Sequence, residues 1–278
     1  MRSRLLSGLL AACLLAPAAE ARGHHFHFGH DGQSRPGPTA SELQQLFEAF
    51  GRADPLVCGL AVDALLSGDF FNHTPTEDVA TLKWKETLSG DVTAPDALAL
   101  LASRLKDAVP CVRRLSAEVL GRSEHPEALA RLRTALGGAN ATERQAAALG
   151  LGERGDASTR ELLERALTDS DAGVAATAAW ALGELEDGRS VPALLVSARH
   201  ADARVREAAV RALGGFEEAR ALPTLIAALR DADKGVRAAA AVALAESENT
   251  PDVERALRAA LADASPEVRR EAAQALGR

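Results

Sequence analysis

From residue 107 onward, apolar positions recur at helical spacing inside a longer period. A valine column falls on Val112, Val174, Val205, Val236 and Val268, with Glu143 in the same register, at intervals of 31, 31, 31, 31 and 32 residues. Eight residues past the column stand Leu120, Leu151, Leu182, Leu213, Leu244 and Leu276, each followed by glycine (Gly121, Gly152, Gly183, Gly214, Gly277) or Ala245. Small residues between them, Ala117, Ala148, Ala179 and Ala241, lie on the same helical face. A second set, Leu136, Leu167, Ala198, Leu229 and Leu261, predicts a second helix in every unit. The unit is a helix hairpin of about 31 residues, and a fixed period of this length signals stacked units. One hairpin cannot stand alone, because ordering about 31 residues at about 1.5 kcal/mol each costs roughly 45 kcal/mol. The predicted fold class is therefore all-α, an α-solenoid of stacked helix hairpins.

Polar positions punctuate the pattern. Asn140, Asp171, Asp202, Asp233 and Ser265 stand three or so residues before the column as N-caps, with Val109 the exception, and Pro110 and Pro266 take first helical positions. Glu143 lies three residues after Asn140, the spacing of a capping box. The column glycines read as left-handed C-caps. Arg113, Arg144, Arg206, Arg237 and Arg269 follow the column, and Asp107, Asp169, Asp231 and Asp263 precede it by five. They predict charge-assisted ties between neighbouring units, in preference to an anion-binding ladder.

Before residue 107 the period weakens. Ser41 is read as the cap of a helix carrying Leu43, Leu46, Phe47 and Phe50, and Asp54-Pro55 opens another that runs through Leu60, Ala61, Ala64 and Leu65 to Gly68. Residues 69–93 fit either an insertion within one repeat or a degenerate repeat of their own. The organisation read from the sequence is a signal peptide over 1–21, a His/Gly/Pro-rich leader without periodicity over 22–40, an N-terminal capping and degenerate region over 41–106, and regular repeats over 107–278.

Three features of composition alter this picture. Arg2 and Arg4, the apolar run Leu5 to Pro17 and the small-x-small site at Ala19 and Ala21 predict export to the periplasm or beyond. Leu10 to Cys13 also has the form of a lipobox, so a lipid anchor at Cys13 is the less favoured alternative. A net charge of −7, with both signs interspersed, argues against a nucleic-acid partner, and no later stretch is apolar enough to span a membrane. Export would leave Cys58 and Cys111, an even pair in an oxidising compartment. They come within bridging range if 69–93 is an insertion and lie apart if it is a repeat.

The copies Asp231 to Ala245 and Asp263 to Gly277, of the form Asp-x-x-x-x-Val-Arg-x-x-Ala-Ala-x-Ala-Leu-Gly, resemble the short HEAT repeat of the phycobilisome-lyase HEAT-like family. The resemblance covers 107–278 and, weakly, 54–106. It implies an α-superhelix that binds other proteins; a minority of the family are bilin lyases or, with His-Glu metal pairs, deoxyhypusine hydroxylases.

Candidate chemistry is sparse. None of the seven histidines is followed by Glu, and no nucleophile triad, phosphate loop or Cys-x-x-Cys occurs. No catalytic residue and no cofactor is assigned. His24, His25, His27 and His30 form a weak metal-binding tract. On the face two and six residues past the column, most side chains are polar (Arg114, Glu118, Gln145, Glu207, Arg211, Arg270, Gln274), while Leu149 and Trp180, with Ala176 beside Trp180, are not. These three are the candidate partner-binding residues. The sequence thus points to an exported, non-catalytic scaffold for an envelope or extracellular protein. The alternatives are a lyase-type or other enzyme of the HEAT-like repeat family and a metal binder acting through the histidine tract.

Overall fold

A computed structural model describes residues 37–53, 58, 62, 88, 90–216, 218–247 and 250–277. The signal peptide, Cys13, the four leader histidines, most of 69–93 and, but for residues 58 and 62, the helix expected from Asp54 to Gly68 lie outside the described residues. Every regular element among the described residues is helical. The chain divides into two compact units, Met1–Arg131 and Leu132–Arg278.

In the first unit, α1 (Ala40–Gly51), α2 (Pro95–Arg104) and α3 (Pro110–Arg122) pack around Leu43, Leu46, Phe47, Leu98, Leu101 and Leu115. The cap of α1 is Thr39, two residues earlier than the Ser41 expected from sequence. Its hydroxyl accepts from the Glu42 N–H at 3.3 Å, and Glu42 reaches back to the Thr39 N–H at 3.0 Å. This reciprocal box satisfies two otherwise free donors, which Ser41, inside the first turn, cannot do. α2 and α3 begin with proline after Ala94 and Val109, neither of which supplies a side-chain cap. Cys58 is joined to Cys111 by a disulfide, with the Cα atoms 6.0 Å apart. α4 (Pro126–Leu136) begins in the first unit and ends in the second.

The second unit is a stack. Its first helices are α5 (Ala141–Arg154), α7 (Ala172–Glu184), α9 (Ala203–Gly214), α11 (Lys234–Ala245) and α13 (Pro266–Leu276), each packed on the next. The second helices, α6 (Arg160–Ala166), α8 (Val191–Ser197), α10 (Leu222–Ala228) and α12 (Pro251–Ala260), each pack against the following first helix. Three of them are only two turns long and follow a 3-10 turn at Ala157–Thr159, Gly188–Ser190 and Ala219–Ala221. Val174, Val205, Val236 and Val268 are fully buried, and Asn140, Asp171, Asp202 and Asp233 each accept a first-turn N–H. Ser265 makes no such side-chain bond.

Leu136, Leu167 and Leu229 of the expected second-helix set are buried, as are Leu163, Leu194, Leu225 and Leu257 one turn earlier, while Ala198 is half-buried and Leu261 is exposed. One expectation is corrected here: the column glycines are not left-handed caps. Gly152, Gly183 and Gly214 are helical, and the left-handed glycine is Gly155, at φ 64°. A Cβ on Gly214 would stand 2.6 Å from Ala243 Cβ and 2.8 Å from its Cα, and one on Gly183 would stand 3.0 and 3.1 Å from the same atoms of Ala212. Glycine is needed because the next first helix crosses there at backbone contact. Gly152 meets Ala181 in the same way, at 2.9 and 3.0 Å.

Candidate protein-docking groove

The residues that broke the polar rule on the first helices come together. Gln145 and Leu149 of α5, Gly173, Ala176, Thr177 and Trp180 of α7, and Arg204 of α9 line an open groove of about 310 Å³. The helical period explains the assembly. Ala176 and Trp180 are four residues apart on α7, as are Gln145 and Leu149 on α5, so each pair forms one ridge and the groove runs between ridges.

Trp180 is half-buried. A Cβ on Gly152 would stand 2.6 Å from its ring, so the indole lies over the glycine where α5 and α7 cross. The tryptophan is therefore partly seated in the crevice between repeats, and the rest of it forms the groove wall. Leu149, Ala176 and Thr177 are half-buried as well, whereas Gln145 and Arg204 are exposed. Gln145 donates to the Thr177 hydroxyl at 3.3 Å. Arg204 is gripped by Asp202 through Nε at 3.1 Å and Nη2 at 2.9 Å, and this holds the Asp202 carboxyl down at about 2. The face is less uniformly polar than expected in one further place: Val242, at the Trp180 position of α11, is 37% exposed. Its register was legible, but a valine amid alanines gives no sign of exposure. In the first unit the trend reverses, since Glu118 is buried and paired with Arg114 at 2.7 Å. On the second-helix side Val196 is 73% exposed, in the same repeat as Trp180.

The arginine column makes ties between repeats. Arg144 grips Asp169 at 2.7 and 2.8 Å, Arg206 grips Asp231 at 2.8 and 2.8 Å, and Arg237 grips Asp263 at 2.7 and 3.0 Å. Each guanidinium also donates through Nη1 to two carbonyls of the preceding loop. Each aspartate accepts the N–H two residues on, at 2.8 Å. The arginine bond, opposed by burial and aided by that N–H, holds all three carboxyls below the usual range. Between α7 and α9 the positions of the tie are occupied by Ala175 and His200.

His200 and His125 act as loop acceptors. Their Nδ1 atoms take the N–H of Asp202 at 3.0 Å and of Glu127 at 3.3 Å. Among the described residues no three His, Cys, Asp or Glu side chains gather as a metal site. No described helix is long and apolar enough to cross a membrane.

A family model of HEAT repeats matches residues 133–202 and 191–277. No curated protein sequence matches the chain. Among solved structures, YibA of E. coli is similar at 22% identity over 73% of this chain and 76% of its own, with a TM-score of 0.60. Kap95p, from a structure with RanGDP, is similar at 14% identity over 99% of this chain and 40% of its own, with a TM-score of 0.55. The CpcE–CpcF phycocyanin lyase of Nostoc sp. PCC7120 is similar at 28% identity over 54% of this chain and 98% of its own, with a TM-score of 0.45.

Proposed function

Because this chain belongs to the HEAT-repeat family, we propose that it is an exported scaffold, without catalytic activity of its own, that holds another protein of the cell envelope in the Leu149–Ala176–Trp180 groove. The observation that carries this reading is the groove itself. Beside α9 and α13, whose matching face carries charged side chains, an aromatic, a leucine and an alanine from adjacent repeats line one open groove. Tryptophan anchors in such recesses dominate the energetics of many interfaces. Export is supported by the basic and apolar N-terminal segment and by the pairing of Cys58 with Cys111, a bond that persists in oxidising compartments.

The test is crosslinking with mass spectrometry in the native envelope, comparing wild type with Trp180→Ala. The expected result is a defined partner whose crosslinks map to α5, α7 and α9 and fall at least tenfold in the variant, while the folded fraction is unchanged. Crosslinks that persist in Trp180→Ala, or recovery of the protein solely from the cytoplasm with free thiols, contradict the reading.

A further inference from the structure

The groove's charges say which chemistry it accepts. Between Asp171 and Glu184, α7 carries no charged residue, so the electrostatics come from its start and from the flanking helices. The cations on those helices are Arg144, Arg154, Arg204, Arg206 and Arg211, of which Arg204 lines the groove. Arg144 is held by Asp169, Arg204 by Asp202 and Arg211 by Glu207 at 3.0 Å. Asp171 is in none of these pairs, and it lies within the fields of Arg144 and Arg204.

Its placement is set by its role at the helix start. Oδ1 accepts from the N–H groups of Gly173 at 2.8 Å and Val174 at 3.1 Å. A Cβ on Gly173 would stand 2.9 Å from that oxygen and 3.4 Å from the Gln145 amide, and both Gly173 and Gln145 line the groove. The exposed carboxylate thus lies beside the Gly173 end of the groove, and Trp180 lines it further along the same helix. Nine residues of helix separate the two, about 13 Å at 1.5 Å per residue. An extended chain covers that distance in about four residues.

Resting on the groove as the docking site, we infer that its occupant is an extended segment of a partner protein bearing a lysine or arginine about four residues from a large apolar side chain. The apolar side chain lies on Trp180 and Leu149, and the cation meets Asp171. The net charge of −7 reinforces this choice, since the field of the whole chain steers basic partners toward it.

Three end-blocked peptides, Leu-Ser-Gly-Ser-X with X lysine, serine or glutamate, are titrated to millimolar concentration against the full chain carrying Trp84→Phe. Trp180 fluorescence reports binding. The lysine peptide is expected to bind about three- to fivefold more tightly than the glutamate peptide at low salt, the scale of one exposed ion pair. The difference is expected to vanish in Asp171→Asn, which keeps a capping side chain and so keeps the helix start. Serine or glutamate peptides that bind as tightly as lysine overturn the inference and leave the groove reading standing. No response to any peptide also overturns it. If, in addition, Trp180→Ala keeps its envelope crosslinks, the groove reading falls with it.

Discussion

The junction of α11 with α13 and the junction of α7 with α9 derive from the same repeat and are held differently. At α11–α13 a two-pronged Arg237–Asp263 bond clamps one unit to the next loop, and Arg237 is locked to the loop behind it by two carbonyls. At α7–α9 both partners are replaced together, by Ala175 and His200, and the seam is apolar: Ala175, Ala178, Ala179, Ala181, Val205, Ala209 and Val210 are all fully buried. His200 keeps part of the aspartate's work, accepting the N–H two residues on. The tied junction buries small residues too, among them Ala239, Ala240 and Ala241, so close packing joins both pairs and the tie is added to it at one of them. The repeat that gives up its arginine is also the one that presents Trp180.

The largest expected effect is on a tied junction. Arg237→Ala leaves Asp263 partly buried and unpaired, with the two side chains only 15% and 12% exposed in the wild type. The expected loss is about 2–3 kcal/mol, below the value for a fully buried pair. For a unit of this size that lowers Tm by roughly 5–10 °C, read by thermal circular dichroism. A loss confined to about 0.5 kcal/mol would make the tie ornamental.

Next comes the packing shared by both kinds of junction. Gly214→Ala drives a Cβ to within 2.8 Å of the Ala243 backbone. Overpacking of about 1–3 kcal/mol outweighs the gain of about 1 kcal/mol in helix propensity, so net destabilisation is expected. At Gly51, where an added Cβ meets nothing within 4 Å, the same change is expected to be neutral or stabilising. Urea midpoints measure both.

Acid separates the junctions further. The depressed pKa values of Asp169, Asp231 and Asp263 contribute stability that is complete above the unfolded carboxylate value of about 3.9. It is lost as pH falls from there through the lower folded values. Urea midpoints taken from pH 5 downward should therefore fall more steeply in wild type than in a variant lacking two ties. Equal slopes would mean that the carboxylates are not linked to folding.

The smallest effect sharpens the comparison directly. Ala175→Arg alone should destabilise, since it forces a cation into a packed seam, and His200→Asp added to it should recover about 0.5–1.5 kcal/mol by completing the tie. Additive behaviour of the pair would show that the seam has no room for one. Arg211→Ala, which breaks a pair 52% and 34% exposed, serves as the control and should cost under about 0.5 kcal/mol.

Much of the stack was legible because its rules are local. The valine column, the aspartate caps and the Arg–Asp ties each depend on residue type at a fixed offset, and the groove followed from Leu149, Ala176 and Trp180 breaking a period. The column glycines were misread because a left-handed cap and a crossing at backbone contact make the same demand, the absence of a Cβ; only the partners Ala181, Ala212 and Ala243 distinguish them. Leu163 and Leu194 lie one turn before Leu167 and Ala198 on the same face, and the period marks one turn where the structure buries both Leu163 and Leu167. Asp171 escaped notice as a neighbour of the groove because it also had a structural duty as a cap. The pairing of Cys58 with Cys111 hung on a register that periodicity left open.

The central claim is a division of labour, in which the columns hold the stack and the departures from them hold a partner. It is tested most directly by the melting temperature and envelope crosslink yield of Trp180→Ala measured beside those of Arg237→Ala. The account expects Trp180→Ala to melt within a few degrees of wild type and lose its crosslinks, and Arg237→Ala to melt lower yet retain its crosslinks at a temperature where it is folded. A Trp180→Ala variant that melts as low as Arg237→Ala and keeps its crosslinks would contradict the account.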